Sequence, residues 1–442
     1  MATTTARKEE TIYDEFKLIE RELEQCMRCG NCQAVCPVYI TEKTEAGVAR
    51  GKIVLAQAII DGKLDLDDPD MYEHIFNCLL CKSCMQNCPP KVNLDKIIFA
   101  LRAAIVKKKG LHPVKKNIFK LLHNHKSLFD LGMRAGGAFQ GLFMKQIPSG
   151  QGRRLRFPIG ILDRKRVLPE LSATPFRSKT PEKVTVKNPK ATVAFFTGCS
   201  INYLYPHFGD DIVTVLKKNE VNVIIPKDQH CCGVAVFAHG DVETAREMAK
   251  ANLDALDRTN ADYVVFGCGS CASTLSHEYR EMLKGDAAYA EKVEKWSKKS
   301  IEISTFLLNK IDFRKPEGEV KATVTYHDSC HLKKTMKVFN EPREIIRSIP
   351  GVTFKEMSKP DACCGSGGTY NLTHYKTSTD ILKRKIADIN KTKANMAVTA
   401  CPGCLIQIID GIEQFGEGQK GTHYISLLAE SYRKEKKGAR NE

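Results

Sequence analysis

Cys401-Pro402-Gly403-Cys404 closes a pattern that starts at Cys330 and runs through Cys363-Cys364-Gly365. The same order of C, CC and CxxC occurs earlier as Cys199, Cys231-Cys232-Gly233 and Cys268-Gly269-Ser270-Cys271. Corresponding cysteines lie 131, 132, 132, 133 and 133 residues apart. So small a drift over so long a span marks an internal duplication. Each copy gathers five soft sulfur donors from three places in the chain. Thiolate-rich sets suit zinc, copper(I) or iron–sulfur clusters, and five donors exceed what one tetrahedral zinc uses. An iron–sulfur cluster is the better occupant.

Around these cysteines the sequence alternates short β-type runs with helical ones. A strand over 191–198 ends at Cys199, and the spacing predicts a helix at 211–218 and a strand at 221–225 before Cys231-Cys232. A helix at 242–256 and a strand at 262–266 then lead to Cys268. The second copy repeats the order at 322–326, 343–349, 352–355, 378–390 and 396–400. Alternation of this kind indicates parallel α/β layers, and open α/β sheets bind ligands beyond the carboxyl ends of their strands. Glycine beside the paired cysteines removes the side chain that would block close approach of backbone to a bound group.

Working back toward the N-terminus, Cys26-x2-Cys29-x2-Cys32-x3-Cys36-Pro37 is repeated as Cys78-x2-Cys81-x2-Cys84-x3-Cys88-Pro89. This is the bacterial ferredoxin spacing. Three close thiolates wrap one cluster, and the fourth cysteine reaches the other. The expected sets are Cys26, Cys29, Cys32 and Cys88 for one [4Fe–4S] cubane, and Cys78, Cys81, Cys84 and Cys36 for the other. Helical spacing of Ile12, Phe16, Ile19 and Leu23 leads into the first motif. Helices are also expected at 48–60 and 94–108, so the two-cluster domain is largely helical. The expected fold class is α+β: a helical two-cluster ferredoxin-like domain (1–109), a basic helical segment and linker (110–190), and two duplicated α/β modules (191–315 and 316–442). These assignments use all eighteen cysteines.

Composition narrows the class further. The chain has 442 residues, enough for several domains, and a formal net charge of +16. Its first 25 residues lack the apolar run of a secretion signal, and CxxC pairs in an intracellular setting point to metal or redox chemistry. No apolar stretch reaches the length of a membrane span. These features lead us to expect a cytoplasmic protein, either soluble or peripheral on the inner membrane face. Between Leu101 and Arg166 sixteen Lys/Arg face two acids. A solvated surface, an acidic partner or an anionic membrane would each suit that excess. Nucleic acid does not, because no recognised binding motif accompanies it.

Taken together, the two ferredoxin motifs and the two complete Cys-Cys-Gly modules resemble the CCG-domain iron–sulfur oxidoreductases. The chain is most similar in layout to the fused, single-subunit catalytic subunit of heterodisulfide reductase. Iron–sulfur subunits of glycolate oxidase, some lactate dehydrogenases and anaerobic glycerol-3-phosphate dehydrogenase are similar too. The resemblance implies a noncubane [4Fe–4S] cluster on Cys199, Cys231, Cys232, Cys268 and Cys271, and another on Cys330, Cys363, Cys364, Cys401 and Cys404. It implies that these ten cysteines form the catalytic site, where a substrate disulfide is split between the two clusters. Glycolate oxidase subunits usually have an incomplete closing CxxC pair, whereas both pairs are complete here. The 364–374 stretch nonetheless looks like that group.

Two functions follow. One is an enzyme interconverting a disulfide and two thiols, fed through the cubanes by a membrane cytochrome b or a flavoprotein. The other is an electron-transfer subunit for a flavin-dependent glycolate- or lactate-type dehydrogenase. No GxGxxG fingerprint follows a strand, so any flavin belongs to a partner. His230, His327 and His331 adjoin cluster cysteines, where they could deliver protons or bond to sulfur and tune potential. His123 and His125, in the basic segment, are expected at the surface.

Overall fold

A computed structural model describes residues 16, 19–157 and 163–435. The chain divides into two compact units. The first contains its described residues up to Lys120, together with Gly233–Ala245 and Gly365–Ile381. The second contains Leu121–Cys232, Arg246–Cys364 and the described residues from Leu382 onward.

The first unit is helical. Its main helices are α1 (Ala49–Ile60), α2 (Pro69–Phe76) and α3 (Leu94–Lys109). Asp68 and Asn93 cap α2 and α3 through their side chains, each accepting from a backbone N–H two or three residues on. Ile53, Ala56, Ile75, Ile97, Ile98 and Leu101 form one core, which Phe16, Ile19 and Leu23 join. Ile12, expected on the same face as those last three, lies outside the described residues.

Two later pieces of chain complete this unit. In 233–245, Phe237 packs its ring 4.3 Å from Phe99, and the Ala238 carbonyl accepts from Arg102 at 2.7 Å. In 365–381, the Tyr370 hydroxyl donates to Asn77 at 2.7 Å and Thr377 donates to Glu42 at 2.6 Å. Thr369 donates to His239 Nε2 at 2.7 Å, which ties the two pieces together.

The second unit begins with the long helix α4 (Lys126–Phe143), followed by a hairpin pairing Met144–Gln146 with Arg153–Leu155. Its first sheet contains β1 (Lys183–Val184), β2 (Ala191–Phe196), β3 (Val221–Ile224), β4 (Tyr263–Phe266) and β5 (Ser300–Glu302) in the order β1-β3-β2-β4-β5. All neighbours run parallel except β1. The second sheet contains β6 (Ala322–His327), β7 (Val352–Phe354), β8 (Met396–Thr399) and β9 (Lys420–His423), all parallel, in the order β7-β6-β8-β9. That order repeats β3-β2-β4-β5, so the duplication read from the cysteines is also a duplication of topology.

Register makes the correspondence residue by residue: Phe196 pairs with Phe266, and His327 pairs with Thr399. One apolar core spans both sheets, from Val193 and Phe195 to Tyr326, Val398 and Tyr424. The segment before β2 contributes to it as well, because Phe176 is fully buried against Phe195.

Candidate metal centres

In the first unit each CxxCxxC run is bent the same way. Arg28 and Gly30 take left-handed backbone conformations in the first run, as do Leu80 and Lys82 at the matching positions of the second. These reversals turn three thiols of each run toward a common centre. The Asn87 side chain donates to the Asn31 carbonyl at 2.7 Å and ties the two runs together. One cavity is lined by Cys26, Cys29, Cys32 and Cys88, and a second by Cys36, Cys78 and Cys81. Cys84 lines both.

The surroundings suit a buried multivalent cation. Burial pushes the Cys36 thiol up to about 11 and Cys84 well above its ordinary value. Such thiols ionise only when a metal supplies compensating charge. Two cations sit close to the second cavity. Lys52, 1% exposed, donates to the Gly47 carbonyl, and burial lowers its pKa while Cys78, Cys36 and Cys84 pull it back up. Arg102 is also buried and donates to the Cys78 carbonyl at 2.8 Å and the Ile75 carbonyl at 3.1 Å. Lys82 and Asp95 form a largely buried ion pair at 3.1 Å beside them. The donor set and the charge around it fit iron–sulfur clusters.

In the second unit seven of the module cysteines, from Cys232 to Cys363, form a row of sulfurs that is buried except at Cys363, with Cys199 and Cys231 as a separate pair. Cys199 and Cys231 stand 4.0 Å apart. Cys271 lies against Cys232 and Cys268. Cys268 is 4.0 Å from Cys401, across the module boundary. Cys401 in turn adjoins Cys404, and Cys404 adjoins Cys364, which touches Cys363. Cys330 Sγ lies 3.4 Å from His331 Nδ1. All eighteen thiols are free of disulfides. Neighbouring buried thiols share protons unequally: Cys363 and Cys404 hold Cys364 low, while Cys404 is driven high by Cys364. A crowd of sulfurs in this state suits a cluster better than it suits free thiols.

Backbone around the row is fixed by side chains. Helix α5 (Pro402–Phe415) begins directly at Cys401, which is extended at its N-cap. His423, buried at the end of β9, donates to the Gly267 carbonyl at 2.9 Å, one residue before Cys268. Burial drops its pKa to about 4, so it stays neutral. Asp328 is held by Arg343 at 2.8 Å, and Arg343 also grips Glu356 at 2.7 Å.

The histidines divide differently from expectation. His327 is buried and stands with Cys364 and Cys404 in a group whose donor atoms all lie within 4.8 Å of one another. His230 does not stand alone before Cys231: the ring of His123 lies 5.6 Å away. Both Nδ1 atoms are shielded from solvent without a hydrogen-bond partner. Burial, and then His123, push His230 down to about 4. His123 was expected at the surface, but it sits half-buried in the last turn of the helix Pro113–Asn124, with its ring against that of His230. His125 is exposed.

Helix α4 presents a second feature. Leu128, Leu131, Phe139, Leu142 and Phe143 lie on one of its faces, each more than half exposed. The opposite side is anchored inward. Lys126 donates to the Lys227 carbonyl at 2.9 Å and Gln140 to the Leu171 carbonyl at 2.8 Å, and Asp130 accepts from Tyr203. At Gly137 any side chain would strike the backbone of Ala173 at 2.5 Å. The Phe143 carbonyl accepts from Arg156, which leads to exposed Phe157 and to a basic wall of Lys145, Arg154, Arg164 and Lys165. Among the described residues no helix is long and apolar enough to cross a membrane.

Comparison with known proteins places this geometry. A family model for a 4Fe-4S dicluster domain matches residues 22–92, and one for a cysteine-rich domain, CCG, matches 193–276 and 324–409. The chain is 32% identical over 440 residues to the probable glycolate oxidase iron–sulfur subunit of Bacillus subtilis, covering 97% of this chain and 98% of that one. It is 27% identical over 433 residues to one subunit of the dihydromethanophenazine:CoB–CoM heterodisulfide reductase of Methanosarcina barkeri, covering 93% and 94%. It is 26% identical over 415 residues to one subunit of a fumarate reductase (CoM/CoB) of Methanothermobacter marburgensis, covering 93% and 73%. Two caged dicluster motifs, two topologically identical cysteine-rich modules and end-to-end similarity to these relatives lead to one conclusion: the chain belongs to the CCG-domain iron–sulfur oxidoreductase family.

Proposed function

We propose that this iron–sulfur oxidoreductase subunit takes electrons through its dicluster domain to the paired CCG modules, where a disulfide and two thiols interconvert. The observation that carries the reading is the unbroken row of sulfurs across the module boundary, with Cys268 and Cys401 only 4.0 Å apart. Both five-cysteine sets are complete, so both modules can hold a cluster. Iron–sulfur clusters, when bound, pass electrons singly, and cleaving a disulfide needs two electrons and two protons to give two thiols. In this reading Cys26, Cys29, Cys32 and Cys88 hold one cubane and Cys36, Cys78, Cys81 and Cys84 the other. Lys52 and Arg102 stabilise added negative charge at the second. Cys199, Cys231, Cys232, Cys268 and Cys271 form one ligand set of the paired site, and Cys330, Cys363, Cys364, Cys401 and Cys404 form the other. The electrons come from a flavoprotein or a membrane cytochrome.

A second reading has its own support. Full-length similarity to a glycolate oxidase iron–sulfur subunit favours a relay that accepts electrons from a flavin-bearing dehydrogenase partner. Anaerobic purification from the native host with partners attached, followed by a viologen-linked disulfide assay, separates the two. Disulfide reduction supports the first reading. A bound flavoprotein oxidising a 2-hydroxy acid, with no disulfide reduction, overturns it. Unchanged iron content and spectra in Cys364→Ser would refute the five-cysteine ligand set of the second module.

We also propose that the chain is cytoplasmic and binds peripherally to an anionic membrane surface through α4. A helix that turns its leucines and phenylalanines outward beside a basic wall has the make-up of an interfacial helix. Vesicles containing anionic lipid should sediment the protein, and Leu131→Glu/Phe139→Glu should abolish this while leaving iron content intact. Binding that survives the double substitution defeats the proposal.

A further inference from the structure

The two modules match in strand order and register, yet they differ beside the sulfurs, at Ser200 against His331 and at the last residue of one strand. Where β2 ends in Phe196, β6 ends in His327. Phe196 pairs with Phe266 and His327 with Thr399, so the two residues occupy equivalent places. His327 is 1% exposed, and its Nδ1 is buried with no hydrogen-bond partner. Its ring forms a three-donor group with Cys364 and Cys404. The backbone there is fixed, because Thr399 donates to the His327 carbonyl at 3.1 Å. The neighbouring carboxylate is no competitor, since Asp328 is bound to Arg343 and Lys333.

We propose that His327 is a nitrogen ligand of the iron–sulfur group in the second module, so that the two modules hold chemically different sites, one all-cysteine and one mixed. The inference rests on the reading that the second module binds a cluster. Imidazole is neutral where thiolate is anionic, and exchanging sulfur for imidazole nitrogen raises the potential of an iron–sulfur site. The second module is then the better electron acceptor of the pair. The first has Phe196 in the same place, and a phenyl ring offers no ligand atom.

The test uses the full chain, purified anaerobically with its iron isotopically enriched for Mössbauer spectroscopy, which sees every iron whatever its spin state. Wild type, His327→Phe (copying the first module) and His327→Gln (retaining a donor) are compared, with Cys364→Ser as reference. The proposal expects one iron subsite of wild type to be lost or altered in both His327 variants, and the matching midpoint potential to fall. Histidine labelled with heavy nitrogen should give a directly bonded nitrogen coupling in wild type that both variants lack. An unchanged subsite and potential in His327→Phe overturn the inference, as does full retention in His327→Gln, which would make the ring a hydrogen-bond donor only. If wild type has no more iron than its dicluster domain and first module need, the second-module cluster itself is absent and the underlying reading falls, whereas an unaltered Cys364→Ser removes only Cys364 from the ligand set. Should His327→Phe fail to fold, His327→Gln and the labelled wild type still decide.

Discussion

Glu302 ends β5 as a fully buried carboxyl and offers a sharp test of how the modules are joined. Its Oε2 accepts from the Ser304 N–H at 2.8 Å, and its Oε1 accepts from the Tyr424 hydroxyl, in the other module, at 2.7 Å. Those bonds favour the anion, but burial outweighs them and raises the carboxyl from 4.5 to about 7. The rise costs the ionised form about 3 kcal/mol, at 1.36 kcal/mol for each tenfold change in acidity. Folded protein therefore holds this proton more tightly than unfolded protein does. The contribution of Glu302 to stability is complete below pH 4.5 and is lost as pH rises through 7.

Glu302→Gln removes the titration. The difference in unfolding free energy between wild type and variant should change by about 3 kcal/mol between pH 4 and 8, with wild type relatively more stable at the acid end. His230, His239 and His423, each depressed from 6.5 to about 4, produce the opposite slope. They do so equally in both proteins and cancel in the difference. Anaerobic urea unfolding of the cluster-loaded chain gives the energies, and the infrared band of the protonated carboxyl gives the titration directly. A pH-independent difference, or a band lost by pH 5, would refute the burial argument.

Other perturbations probe the rest of the molecule. Lys52→Met or Arg102→Met removes a buried cation beside Cys36, Cys78 and Cys84. Redox titration followed by electron paramagnetic resonance should show a lower midpoint there, by roughly 1–3 kcal/mol of reduced-state stabilisation. Gly51→Ala, ordinarily favourable within a helix, places a methyl 2.0 Å from the Glu45 carbonyl oxygen. It should cost about 1–3 kcal/mol and lower iron per chain, measured by colorimetric analysis. Phe176→Ala empties a fully buried site beside Phe195. A loss of about 3–5 kcal/mol is expected, read as faster thermal inactivation.

Much of this architecture was legible because the cysteines punctuate it. Cysteines placed just past strand ends fixed the repeat, and the strand–helix alternation between them gave the parallel sheets found in both modules. β5 and β9 are not legible in the sequence, because Ser300-Ile301-Glu302 and Lys420-Gly421-Thr422-His423 carry no apolar run. Their pairing comes from the sheet beside them. Helix α4 read as basic residues among scattered glycines, since which of its faces meets the protein depends on distant partners such as Tyr203 and Leu171. His327 drew attention for its closeness in sequence to Cys330. Its alignment with Cys364 and Cys404, 37 and 77 residues further on, follows only from β6 and β8 lying side by side. The His123–His230 pair bridges over 100 residues in the same way.

The first unit is built from chain that the ribosome delivers at three different times. Helix α3 is finished by Lys109, but Ala238, which accepts from Arg102, and Tyr370, which donates to Asn77, come much later. At ordinary synthesis rates the wait between Lys120 and Ile381 is roughly 15–50 s. During that interval the N-terminal helices lack Phe237 against Phe99 and the bonds to Glu42 and Asn77. A chain stopped near residue 190 would keep all eight ferredoxin-type cysteines and still expose the surface those later residues cover. The surface of this unit is thus closed only once Ile381 has been made, and dividing the gene between its domains would leave it open.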